Sequence, residues 1–108
     1  MKVFVYGTLK KGFGNHVLLS ESQCLGPDSL KNYSMFSLGY FPAIRKGEGT
    51  VYGEVYEVTP EQLQRLDRLE GHPTFYERIP VVTNGNQEVQ VYVMEKVVGQ
   101  PIPSGVWQ

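Results

Sequence analysis

Two features of this sequence have residue types and spacing suited to chemistry: a glutamate at a helix end, and an apolar run broken by glycine. Glu70 closes the segment Leu63-Gln64-Arg65-Leu66-Asp67-Arg68-Leu69-Glu70, just before Gly71. At about 100° per residue, Leu63, Leu66 and Leu69 form an apolar stripe, and Glu70 lies about 40° from its centre while Arg65 and Arg68 point away. Glu70 therefore faces inward. A carboxylate in the last turn of a helix sits against the negative end of the macrodipole, and burial beside leucines disfavours its charged form. Both effects raise its pKa toward neutrality, where a carboxylate can take and return a proton. The alternative is a Glu70 that frays outward to solvent or pairs with Arg78.

The second feature is Val3-Phe4-Val5-Tyr6, which stops at Gly7-Thr8-Leu9. Four β-prone residues bounded by glycine read as a short, fully buried strand. Such a strand delivers the backbone of Gly7, Thr8 and Leu9 to one rim of the fold. Glycine there permits a positive φ and the close approach of a ligand, and consecutive N–H groups at such a turn can bind an anion. An ordinary strand-ending turn is the competing reading. The chain has neither a Gly-x-x-x-x-Gly-Lys-Ser/Thr run nor Gly-x-Gly-x-x-Gly, which counts against a nucleotide-phosphate cradle. His72, beside Pro73, is either a proton carrier or a surface residue.

Local signals fix the elements that must position these residues. Thr59-Pro60-Glu61-Gln62 combines a Thr N-cap, a proline in the first turn and a glutamine three residues after the cap, so a helix runs to Glu70 and stops at Gly71. Asn15 is placed as the cap of a short helix through Val17, Leu18 and Leu19. Gly26-Pro27-Asp28 predicts a turn, Asn32 to Leu38 a strand, and Gly39 to Ile44 an ordered loop or edge segment. Gly47 and Gly49 predict a turn into a strand over Thr50 to Val58, whose alternation has period two; Gly53 within it suggests a bulge, a bend or a ligand against the backbone. Arg78 to Thr83 and Gln87 to Met94 form a hairpin through Asn84-Gly85. The proline-rich tail ends in Trp107, which is expected to dock on the body of the fold.

With 108 residues the chain forms one domain, spanning 1–108. Ten Lys and Arg against eleven Asp and Glu give a net charge of −1 with no like-charge run, which argues against nucleic acid or an anionic membrane as a partner. Cys24 is the only cysteine, and no Cys and His cluster has metal-ligand spacing. No apolar run approaches about 18 residues and no signal-peptide pattern is present, so a cytoplasmic location is expected. A monomer is expected too, because no apolar helix face is left over.

Assembled in order, these residues resemble the γ-glutamylcyclotransferase-like family, which includes the γ-glutamylamine cyclotransferases and the plant proteins first described as avirulence-induced. The likeness is carried by Tyr6-Gly7-Thr8-Leu9, Asn15, Tyr40-Phe41-Pro42-Ala43, Gly53-Glu54-Val55-Tyr56, Leu66-Asp67-Arg68-Leu69-Glu70-Gly71, Tyr76-Glu77-Arg78 and Tyr92-Val93. The tail Ile102-Pro103-Ser104-Gly105-Val106-Trp107 is similar to that of small bacterial members, except that Val106 stands where they usually have an aspartate.

The resemblance implies an α+β fold, a small closed mixed β-barrel with a few short helices around it. It also implies cyclisation of a γ-glutamyl amine or γ-glutamyl amino acid to 5-oxoproline with release of the amine, without metal or cofactor. In that reading the backbone N–H groups of Gly7, Thr8 and Leu9 hold the substrate's α-carboxylate, and Glu70 is the acid/base. Tyr6, Tyr76 and Tyr92 are candidates for wall or hydrogen-bonding roles; Tyr76 is favoured because its loop leaves the same helix end as Glu70. Tyr40, Phe41 and Ile44 are candidates for the far wall that selects the amine. A protein that binds a γ-glutamyl compound or another small carboxylate without turning it over is the alternative, and a structural barrel with Glu70 in an ion pair is another.

Overall fold

The computed structural model describes residues 1–108. Its organising strand, β1 (Lys2–Val5), is buried on both faces: Val3, Phe4 and Val5 are each at most 2% exposed. Successive side chains alternate between two cores. Val3 and Val5 enter one that includes Leu63 and Leu66 of the helix, while Phe4 enters another with Val51, Val55, Val89, Val91 and Val93. A continuous apolar run is what a strand with core on both sides requires.

β2 (Gln23–Ser37) and β3 (Pro42–Glu57) form a long hairpin, followed by α1 (Pro60–Glu70), β4 (Glu77–Val82), β5 (Glu88–Val93) and β6 (Gln100–Ile102). The sheet order is β4-β5-β1-β3-β2-β6. It is mixed because β1 runs antiparallel to β3 and parallel to β5. The sheet curls into a half-barrel, and its two ends are tied by side chains. Asp28 of β2 accepts hydrogen bonds from Thr83 Oγ1, the Gly85 N–H and Gln87 Nε2 of the β4–β5 hairpin, while the Asn84 N–H donates to Ser29 O at 2.8 Å. Burial alone would raise the Asp28 pKa, but these donors hold it below the ordinary carboxylate range.

Two expected turns are instead features inside long strands. Gly26 has φ 102° and marks a bulge in β2, with a second at Asn32, whose φ is 66°. Gly47 and Gly49 lie within β3, where Cβ atoms would collide with Ser34 and crowd the Tyr33 carbonyl on β2. Glycine here lets two strongly bent strands approach rather than ending them. The segment read as a loop over Gly39 to Ile44 splits: residues 38–41 turn, with the Leu38 N–H donating to Phe41 O at 2.9 Å, and Pro42 starts β3. Gly53 answers to the close approach of β1, since a Cβ there would overlap the Val5 carbonyl.

Helix α1 follows its signals. Thr59 caps it in a reciprocal capping box with Gln62, Pro60 is in its first turn, and Gly71 ends it in the left-handed region at φ 66°. Leu63 and Leu66 are buried, whereas Leu69 is 42% exposed at the rim of a cavity. Asn15 is not a cap: the short 3-10 helix over Gly14–Leu19 begins after Phe13 and has no side-chain cap. The tail docks as expected. The Tyr52 N–H donates to Gly105 O, Trp107 packs against the barrel core, and Lys10 Nζ donates to Trp107 O. No helix is long and apolar enough to cross a membrane.

Candidate active site

Where β1 ends, the chain turns out of the sheet beside the C-terminal end of α1, and the two enclose a cavity of about 360 Å³. Tyr6, Gly7, Thr8, Leu9, Glu70 and Tyr76 all line it, so the residues singled out in the sequence come together in one place. A volume at the lower end of the range of small-molecule sites suits a compact ligand.

The loop after β1 is held by its carbonyls. Gly7 O accepts from the Lys10 N–H at 3.0 Å, Thr8 O from the Asn15 N–H at 3.1 Å, and Leu9 O from His16 Nδ1 at 3.0 Å. Asn15 Nδ2 also donates to Thr8 Oγ1 at 2.9 Å, which is the job this asparagine does instead of capping. With the carbonyls engaged, the N–H groups of Gly7, Thr8 and Leu9 donate to no acceptor within the protein. Three consecutive unpaired donors beside a cavity can receive an anion. Gly7 is required for a reason other than the expected positive φ: a Cβ there would stand 2.7 Å from Pro42 Cγ. The glycine makes room for the proline ring.

Glu70 is the only charged residue in the cavity wall. Its carboxylate has no hydrogen-bond donor and no cation, because Arg78 is committed to Asp67 through Nε–Oδ1 at 2.8 Å and Nη2–Oδ2 at 3.2 Å. Burial without a partner pushes its pKa up to about 7. The outward-fraying and Arg78-paired alternatives are therefore not what the fold adopts. Tyr76 is drawn beside Glu70 by its own backbone, its N–H donating to Glu70 O at 3.1 Å.

Three of the four tyrosines of the wall have already committed their protons. Tyr6 Oη donates to Tyr92 O at 2.7 Å, Tyr76 Oη to Pro42 O at 2.5 Å, and Tyr92 Oη to Asp67 Oδ1 at 2.7 Å. Burial foremost raises all three phenols well above their ordinary range, helped by Tyr76 and then Glu70 at Tyr6, by Glu70 at Tyr76, and by Asp67 at Tyr92. They stay protonated, and their oxygens remain able to accept a hydrogen bond. Asp67 is held low despite its burial by Arg78 and Tyr92.

Ile44 belongs to the barrel core, whereas Tyr40 and Phe41 do line the cavity. His72 is not in the wall; its Nδ1 accepts the Arg78 N–H at 2.9 Å. Sequence reasoning missed Leu69 and Phe75 as rim residues. Phe75 sits in a loop whose course periodicity cannot give, although Gly71-His72-Pro73 signals that the chain must fold back there.

Comparison with known proteins decides the family. The model for "Gamma-glutamyl cyclotransferase, AIG2-like" proteins matches residues 3–108. This chain belongs to that family. A Vibrio cholerae member is 39% identical over 107 residues, covering 97% of this chain and 93% of its own. The Escherichia coli K12 family protein YtfP is 36% identical over 109 residues, covering 99% and 96%. Among solved structures, an uncharacterized Pyrococcus horikoshii protein superposes with a TM-score of 0.87 at 33% identity, covering 98% of this chain and 88% of that one. A mouse AIG2-like protein gives 0.81 at 29% identity, covering 90% and 78%. The γ-glutamylcyclotransferase-like fold and family expected from the motifs are thus both found.

Proposed function

We propose that this family member is a cyclotransferase that converts a γ-glutamyl amide into 5-oxoproline and a free amine, with Glu70 as the acid/base. The observation that carries the reading is an unpaired, half-buried carboxylate sharing a small cavity with three unpaired backbone N–H groups. The N–H groups of Gly7, Thr8 and Leu9 hold the substrate's α-carboxylate, so that the chain folds back on itself. Since attacking and attacked atoms belong to one molecule, holding that conformer supplies much of the rate.

The proton steps follow from the substrate's α-ammonium. The Glu70 carboxylate takes one proton from it, and the freed nitrogen attacks the γ-carbonyl carbon, forming the ring N–C bond. Glu70 returns the proton to the leaving nitrogen as the amide C–N bond breaks and the carbonyl re-forms. The carboxylate then takes the remaining extra proton from the ring nitrogen and gives it to the departing amine or to water. A pKa of about 7 suits both directions of transfer. The oxygens of Tyr6 and Tyr76 accept from the α-amine and orient it, since their own protons point elsewhere.

A protein that only binds a small carboxylate gains nothing from an ionisable acid in its wall, because the charged form repels the ligand. That disfavours the binding reading. The test is release of 5-oxoproline from γ-glutamyl amides by the wild type and by Glu70→Gln. Product from the wild type alone supports the proposal; no product from either, or equal product from both, rejects it.

A further inference from the structure

The apolar mouth of the cavity, beside the end of α1, carries information about the amine. Its residues are Tyr40, Phe41, Leu69 and Phe75, three of which are exposed at the mouth: Tyr40 by 94%, Phe75 by 53% and Leu69 by 42%. Phe41 and Phe75 are ordered against each other and against Tyr76. Phe41 and Phe75 lie 6.0 Å apart with planes at 67°, and Phe75 meets Tyr76 edge to face at 5.3 Å and 88°. Such packing fixes the rings and leaves apolar surface open toward the cavity. This surface is unusual for a water-exposed rim and is continuous with the reacting centre.

No cation lines this wall, and the sole anion is Glu70. The nearest arginine along the chain from Phe75, Arg78, is bound to Asp67, and Lys10 donates to Trp107 O. A leaving amine bearing a carboxylate would bring a third negative charge near Glu70 and the anchored α-carboxylate, with no cation to receive it. A distal ammonium would find only Glu70, whose charge is needed for the proton transfers. We infer that the leaving amine is an uncharged apolar one, alkyl or arylalkyl, seated on Tyr40, Phe41, Leu69 and Phe75, rather than an amino acid or a diamine. The inference rests on the cyclotransferase reading and specifies its substrate.

The experiment compares kcat/KM for 5-oxoproline release from γ-glutamyl-phenethylamide, γ-glutamyl-butylamide, γ-glutamyl-glutamate and γ-glutamyl-putrescine, in the wild type and in Leu69→Lys. Leu69 is 42% exposed where the last turn of α1 meets the cavity mouth, and lysine is a good helix former, so the fold tolerates the change. The wild type is expected to prefer the two apolar amides by at least about tenfold, because an unpaired charge at an apolar wall forfeits its hydration. Leu69→Lys is expected to narrow that gap by raising turnover of the glutamate derivative. Equal or faster use of the charged amides by the wild type overturns the inference and leaves the cyclotransferase reading standing. A preference unmoved by Leu69→Lys also overturns it, since the amine then lies elsewhere. No 5-oxoproline from any amide rejects the cyclotransferase reading and the inference with it.

Discussion

The Tyr76 hydroxyl donates to the Pro42 carbonyl oxygen at 2.5 Å, and the same proline ring fills the space that a side chain on Gly7 would need. One residue thus couples the loop after α1 to the loop after β1, the two sides of the cavity. Gly7→Ala places a methyl against Pro42 and must push the start of β3 outward. It is expected to lower stability by about 1–3 kcal/mol and to raise KM, because Tyr76 and the Gly7–Leu9 amides lose their mutual registry. Thermal denaturation with steady-state kinetics checks this. An unchanged Tm and KM would mean that Pro42 yields without consequence.

Glu70 weakens the fold when it is charged. Its carboxyl titrates at about 7 in the folded chain and in the ordinary range near 4.5 when unfolded. Between those values the folded state keeps a proton that the unfolded state has lost, so this group's contribution is full below about 4.5 and is lost as pH rises through about 7. Glu70→Gln is therefore expected to match the wild type in mild acid and to exceed it by roughly 1–3 kcal/mol above neutrality. Chemical denaturation at several pH values measures the difference. A variant less stable than the wild type at alkaline pH would contradict the burial argument.

Tyr92→Phe removes the phenol that donates to Asp67 Oδ1 and leaves Arg78 as that carboxylate's side-chain partner. A loss of about 1–3 kcal/mol is expected, the usual size for a hydrogen bond to a partly buried charge. Denaturant titration reads it directly. No loss would mean that water replaces the phenol freely.

Asp28 ties the β4–β5 hairpin to β2 through three donors beyond its own neighbour. Asp28→Ala is expected to cost about 2–4 kcal/mol and to speed amide exchange at Gly85 and Gln87 before the rest of the sheet. Because the Asp28 pKa is held low in the folded chain, its contribution is present above the ordinary carboxylate range and fades as pH falls through the folded value. Exchange that accelerates uniformly would show that the half-barrel does not depend on this tie.

Much of this architecture is legible in the sequence where the signal is local. The α1 cap, its first-turn proline and its glycine stop each act within a few residues, and the Asn84-Gly85 hairpin is equally self-contained. The position of Glu70 follows from the helix period, as does its raised pKa. What local signals could not give is the bend of β2 and β3. Gly26, Gly47 and Gly49 carry the same signature whether a strand ends or curves, and only the partner strand decides. The same limit applies to Asn15, whose preference for helix starts is overridden by Thr8, and to Gly7, whose neighbour Pro42 is distant in sequence. Leu69 obeys the stripe in angle, yet lies at the helix end where the core gives way to the cavity mouth.

The most direct measurement is the pH dependence of kcat/KM for 5-oxoproline release from a γ-glutamyl amide, from about pH 5 to about pH 9, in the wild type and in Glu70→Gln. With Glu70 as the acid/base, the rate rises with pH through a midpoint of about 7 as the carboxylate becomes the base, and the variant shows no comparable turnover. A wild-type rate that shows no such limb, or a variant that keeps it, would contradict the role assigned to Glu70.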